Sequence, residues 1–198
     1  MPQPALIGTY PLPGMPGATL TVGWPHNAQK MAEIFRNGPV KLADDIETFG
    51  IGRDAGPGKI KCDTFATERE AVIFDPRDPR DRAEILRAQA YASSLIMHNA
   101  PFDCPSKAIN DLFPIEHVDK TTDTLVWARL ATPGLIPKDL DACLERYLGI
   151  VSEPILKLFR SLGYKSKREG FLNLDVDAPS YLFGAASDAV GTARLDSV

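Results

Sequence analysis

The stretch KLADDIETFG, residues 41–50, opens as an apolar strand and then sets three acids, Asp44, Asp45 and Glu47, among four positions. An ionised carboxylate buried without a partner costs enough free energy that it neutralises or finds a counter-charge. The strand therefore ends in water or meets something positive. Residues i and i+2 of a strand share a face, so Asp45 and Glu47 project together while Asp44 and Ile46 point the other way. Two adjacent carboxylates repel unless they share a proton or a divalent cation, and Mg²⁺ prefers such oxygens while keeping waters for a substrate phosphate. Taken alone, an acid-x-acid triplet more often marks a solvated strand end.

The chain has 198 residues, 44% hydrophobic and 24% charged, which suits one globular domain over residues 1–198, with a Pro/Gly-rich lead over 1–18. A net charge of -4 argues against coating nucleic acid by bulk electrostatics and leaves a local site open. Cys62, Cys104 and Cys143 are odd in number and widely spaced, fitting neither a disulfide framework nor a zinc pattern. A reducing, cytoplasmic setting is the expectation. The opening MPQPALIGTYPLPGMPG lacks the basic and apolar regions of a signal peptide, and no apolar run is long enough to span a membrane, so no membrane partner is expected.

Around the quoted strand, ATLTVGW reads as a short strand and NAQKMAEIFRN as a helix with Met31, Ile34 and Phe35 on one side. KIKCDTFATE and EAVIFDP read as two further strands, with Gly50, Gly52, Gly56, Pro57 and Gly58 marking the first turn. Three consecutive strands suggest an antiparallel meander. PRDRAEILRAQAYA then changes to helical spacing, and SLIMHNA is a short strand running into a helix from about Pro101. DTLVWARLA, KDLDACLERYLGI, EPILKLFRSLGY and a last segment from about Ser180 complete a helical second half. The pattern predicts a mixed sheet with helices packed on it.

Two further constellations carry acids. LIMHNAPFD ends a strand with His98 and Asn99, turns at Pro101, and puts Asp103 in the first turn of a helix, where the dipole favours an acid. Simple capping would explain it alone. In YLFGAASDAVGTARL, Asp188 stands inside a helix of small and apolar residues, a poor position for Asp without a reason.

The ordered set DIET, HNAPFD and AASDAVGTARL resembles the three motifs of the DnaQ-like (DEDD) 3′-to-5′ exonucleases. DTLVWARLATPG followed by KDLDACLERYLG resembles the helical segment of family A DNA polymerase proofreading domains, and also that of RNase D-like enzymes. The motifs fall within residues 40–195. The resemblance implies an α/β, ribonuclease H-like fold, a central mixed sheet flanked by helices. It also implies that Asp45, Glu47, Asp103 and Asp188 hold two divalent cations, Mg²⁺ or Mn²⁺, the first two with Asp188 at the attacking water and Asp45 with Asp103 at the leaving oxygen.

The implied activity is removal of nucleoside 5′-monophosphates from the 3′ end of single-stranded DNA, as proofreading beside a family A-type DNA polymerase domain or subunit, in a bacterial or phage-infected host cell. Whether the chain is an excised domain or a stand-alone subunit stays open. The alternatives are an RNase D-like exoribonuclease and a catalytically weak binding or structural module. Asn99 and Phe102 beside the second motif, and Thr48 and Phe49 after the first, are expected to border the terminal nucleotide, since aromatic faces stack on any base. His98 is expected to be structural. Lys165, Lys167 and Arg168, in KLFRSLGYKSKREG, are expected to follow the phosphates.

This chain departs from the family at one catalytic position. The family places a Tyr four residues, or a His five residues, before the last Asp to orient the water; here those positions are Gly184 and Phe183. Tyr181 lies seven residues before Asp188, about two turns or roughly 10.5 Å away at ~1.5 Å per residue, and would reach the site through a bend at Gly184. Asp44, at a usually apolar position, is read as salt-bridged or near a sheet edge.

Overall fold

A computed structural model describes residues 6–49, 59–134 and 136–198. The turn assigned to Gly50, Gly52, Gly56, Pro57 and Gly58 lies outside the described residues. Seven strands form one mixed sheet: β1 (Gly8–Pro11), β2 (Thr19–Val22), β3 (Lys41–Thr48), β4 (Ile60–Ala66), β5 (Glu70–Phe74), β6 (Ser94–Met97) and β7 (Thr121–Asp123), in the order β1-β2-β5-β4-β3-β6-β7. The expected meander is present, since β3 pairs antiparallel with β4 and β4 with β5. β6 runs parallel to both β3 and β7, and β2 runs parallel to β5. β3 therefore sits inside the sheet, away from either edge.

The strand period sorts β3 between two cores. Leu42 and Ile46 join a cluster with Ile85 and Ala88 of α2 (Pro79–Tyr91), Met31 of α1 (His26–Ile34) and Leu112. Ala43, on the other face, packs with Ala185, Ala186 and Ala189 of α8 (Pro179–Leu195). Small residues let α8 lie close to its neighbours. A Cβ at Gly191 would meet Leu144 Cδ1 at 2.7 Å, on α5 (Leu140–Leu148). α3 (Ala100–Ala108) follows β6, α4 (Thr124–Ala131) follows β7, and α6 (Glu153–Ser161) supplies Phe159 to the α8 side.

Four elements were not read from the sequence: β1, a 3₁₀ turn, β7 and a short helix after α6. The Pro/Gly-rich lead contains β1, hydrogen-bonded antiparallel to β2, and its turn buries Leu12, Met15 and Ala18. A 3₁₀ turn over Ile115–Lys120 leads into β7. The basic segment after α6 forms a short helix, α7 (Lys167–Asn173).

Candidate active site

The β3 face that carries Ala43 also carries Asp45 and Glu47, and α8 lies across it. Asp188 projects from α8 into this space. Asp103 comes from the first turn of α3, where its carboxylate is held by the backbone of Ile46. The four acids gather near the C-terminal end of β3, within electrostatic range of one another. Burial pushes the Asp45 carboxyl up to about 8, reinforced by the charges of Asp188 and Asp44. Glu47 is pushed well above the carboxylate range by burial and then by Asp45 and Asp188. Asp103 is raised by burial, Asp45 and Asp44. Asp188 is raised by burial against the opposing pull of Lys167.

Burial and mutual repulsion of this kind suit hard divalent cations by donor chemistry, since carboxylate oxygens are the preferred ligands. The cluster is not closed. Among the described residues, no three His, Cys, Asp or Glu side chains surround one point at metal-binding geometry. Asp188 instead meets a cation from the protein itself. Lys167 Nζ lies 2.8 Å from Asp188 Oδ1 and 2.6 Å from Asp141 Oδ1.

The placement of α7 accounts for the glycine at position 184. A Cβ at Gly184 would stand 2.8 Å from Phe171 Cζ and 3.1 Å from Phe159 Cε2, so the space of a side chain there belongs to α7 and α6. One turn along each helix, Lys167 reaches Asp188. Ser166 caps α7 by accepting a hydrogen bond from Glu169 N at 3.1 Å, and Glu169 Oε2 accepts from Lys165 N at 2.7 Å. The S-x-x-E pattern of residues 166–169 is the sequence signal that could have found this helix. At its other end, buried Lys61 donates to Phe171 O at 2.6 Å and Leu174 O at 3.2 Å, completing the C-terminal carbonyls. Lys61 is the extra residue of a bulge, since Glu47 pairs with Cys62 and Thr48 with Ile60.

Tyr181 is fully buried, its ring 5.1 Å from Phe171 and its hydroxyl beside Cys62. Burial holds the phenol above its ordinary range, with Cys62 and Glu47 adding to the shift. No bend at Gly184 brings it to the surface; α8 is continuous through that residue. Thr48 is buried, and Phe49 is 47% exposed with its ring 5.0 Å from Lys61 Nζ. Asn99 is exposed in a left-handed conformation (φ 89°) at the start of α3, and Phe102 is half-buried against the α2-side core. Lys165 and Arg168 are exposed. Lys167 departs from the phosphate-following patch expected of it, because α7 turns it inward to two carboxylates. Arg160 of the same patch pairs with Glu153 at 3.0 Å.

His98 has the structural role expected, with Nδ1 2.8 Å from Thr124 Oγ1 and Nε2 3.0 Å from Lys138 O. Asp123, not singled out from sequence, fixes the turn before Asp103: its carboxylate accepts from Asn99 N, Ala100 N and Leu125 N. Asp44 is ion-paired. Lys107 Nζ lies 2.5 Å from Asp44 Oδ1 and 2.7 Å from Asp63 Oδ2, all three side chains fully buried. Lys107 is one turn after Asp103 on α3, so this triad braces the helix that presents Asp103. A concavity of about 860 Å³ beside Trp127 and Tyr147 borders Lys41, at the opposite end of β3. None of the four acids borders it.

Two expectations arise from this geometry. Gly184→Tyr should cost ~1–3 kcal/mol or more by overpacking against Phe171, lowering the thermal midpoint without improving activity. The second concerns pH. Folding raises the pKa values of Asp45, Glu47, Asp103 and Asp188, so the folded state binds more protons than the unfolded one above roughly pH 4. Their contribution is therefore most favourable below that point and declines as pH rises toward Asp45's value of about 8. Thermal melts in chelator should fall as pH is raised through this window, and Mn²⁺ should restore most of the loss near pH 8.

No family model and no curated protein sequence matches the chain. Solved structures do. RNase D from Trypanosoma brucei in complex with GMP superposes with a TM-score of 0.62 at 14% identity, over 90% of this chain and 56% of that one. The Nibbler EXO domain from Aedes aegypti gives 0.64 at 12% identity, over 90% and 85%. Escherichia coli RNase D, an exoribonuclease involved in structured RNA processing, gives 0.57 at 17% identity, over 91% and 44%. The chain thus spans about half the length of both RNases D. Its mixed seven-stranded sheet with flanking helices has the ribonuclease H-like exonuclease fold.

Proposed function

We propose that this protein is a divalent-cation-dependent 3′-to-5′ exonuclease of single-stranded nucleic acid. The observation that carries the reading is the convergence of Asp45, Glu47, Asp103 and Asp188 at one end of β3, on a fold shared with RNase D and Nibbler. Divalent cation held by these acids would supply an activated water and stabilise the departing 3′-oxygen. The chain's own part is positional. Asp123 and the Lys107 triad set the start of α3, and the Lys61 bulge sets α7 against Glu47. Phe49, exposed at the end of β3, offers a face on which a terminal base stacks regardless of sequence.

RNA is the favoured substrate, because the neighbouring structures include RNases D. Single-stranded DNA, with a proofreading role beside a polymerase, is the second reading, supported by the likeness of residues 123–134 and 138–149 to the polymerase-linked helical segment. Initial rates on matched 5′-labelled RNA and DNA strands in Mn²⁺ discriminate the two. At least about tenfold faster shortening of RNA is expected, a difference of ~1.4 kcal/mol in transition-state binding. Faster shortening of DNA would reverse the substrate choice, and no shortening of either would overturn the exonuclease reading.

A further inference from the structure

We infer that the Lys167 ammonium takes the place of one of the two divalent cations, so that the site binds a single divalent ion, between Asp45 and Asp103. The inference rests on reading the acids as cation ligands, and stands apart from whether the protein cleaves nucleic acid.

Lys167 is built into the site. Its side chain is 14% exposed, and Nζ contacts Asp188 at 2.8 Å and Asp141 at 2.6 Å. Contact with two carboxylate oxygens at these distances is the pairing of an ammonium. Its charge also acts on Asp45 and Glu47. Two of its three protons are committed to carboxylates, and the third is left for a water or a phosphate oxygen.

The surroundings fix this arrangement from three sides. Phe171 fills the space over Gly184, Ser166 caps the start of α7, and Lys61 ties its end. Behind the ion pair, a crevice of only about 10 Å³ between Asp141, Lys167 and Asp188 and the Leu144 and Ile155 side leaves Lys167 little space to withdraw from Asp188. A divalent ion on the same Asp188 oxygen would sit at ~2.0–2.1 Å, in contact with the ammonium and repelled by it. Among the described residues, no Lys or Arg ion-pairs with Asp103, which lies one turn before Lys107 on α3. The ion that remains is the one on the leaving-group side, and Lys167 occupies the side where the family's Tyr or His would steer the attacking water.

The test is Mn²⁺ binding stoichiometry, by calorimetry and by electron paramagnetic resonance of free Mn²⁺, on the full chain. One ion per chain is expected for the wild type. Lys167→Met, or Lys167→Gln should the first fail to fold, is expected to take up a second ion as Asp188 is freed. Asp188→Asn should leave the wild-type ion bound within about threefold, whereas Asp103→Asn should abolish it. Two ions in the wild type, a single ion retained in both Lys167 variants, or loss of the ion in Asp188→Asn would each overturn the inference. One bound ion in a protein that shortens no strand would uphold it while removing the exonuclease reading.

Discussion

Asp45→Asn is expected to abolish strand shortening, by about 10³-fold or more, and at the same time to raise the melting temperature of the metal-free protein. The two effects have one cause. Burial, reinforced by the charges of Asp188 and Asp44, lifts the Asp45 carboxyl to about 8. At neutral pH the fold carries the cost of keeping that group protonated or of ionising it among like charges. One pKa unit corresponds to ~1.4 kcal/mol, so the neutral amide relieves roughly 2–4 kcal/mol, about 5–15 °C for a domain of this size. Catalysis responds in the opposite direction. Loss of a carboxylate that would hold the divalent cation would forfeit transition-state stabilisation of ~4 kcal/mol or more. Melts in EDTA beside single-turnover cleavage would check both, and a variant that is less stable without metal would contradict the electrostatic account. Sites that trade stability for function in this way are where single substitutions stabilise most readily.

The second large effect lies behind the site. Lys107→Met is expected to destabilise the fold by ~3–5 kcal/mol, lowering the midpoint by roughly 6–20 °C. Lys107 is fully buried between Asp44 and Asp63, 2.5 and 2.7 Å away. Burial works against its charge, yet the two carboxylates more than offset this and leave the amine raised. Asp63 is raised by burial despite Lys107, so the triad already holds more acid than base. Removing the ammonium strands two carboxylates in an apolar interior beside Phe65, whose ring lies 5.1 Å from Nζ. The triple change Lys107→Met, Asp44→Leu, Asp63→Leu should recover much of the loss, because a packed apolar core is often no worse than a buried ion group. Activity should stay impaired in the triple variant, since the brace on α3 is gone. Denaturant melts of the single and triple variants would measure this, and equal instability in both would contradict it.

Period-two alternation made the first motif legible: it placed Asp45 and Glu47 on one face of a strand and Asp44 on the other, and α8 and α3 indeed take those two sides. Asp188 was legible for a different reason, as a poor helix former inside a run of Ala, Ser and Gly that only close packing would select. What stayed hidden depended on distance along the chain. Asp44 meets Lys107 across 63 residues, and Lys61 meets Phe171 across 110, pairings with no local signature. β1 is four residues long and lies among Pro and Gly, too short for alternation to register. α7 did carry a local sign, the capping pattern at Ser166 and Glu169. Its charges read more readily as a solvated patch, because nothing in the sequence told that Gly184 was vacant for Phe171.

The most direct test of the carboxylate centre is the fate of a short 5′-labelled single-stranded RNA in Mn²⁺, followed on a sequencing gel with wild type, Asp103→Asn and an EDTA control. The account predicts a ladder that shortens one nucleotide at a time from the 3′ end, absent in the variant and in EDTA. An intact strand, internal cuts, or a ladder that persists in Asp103→Asn, from protein that melts cooperatively, would contradict it.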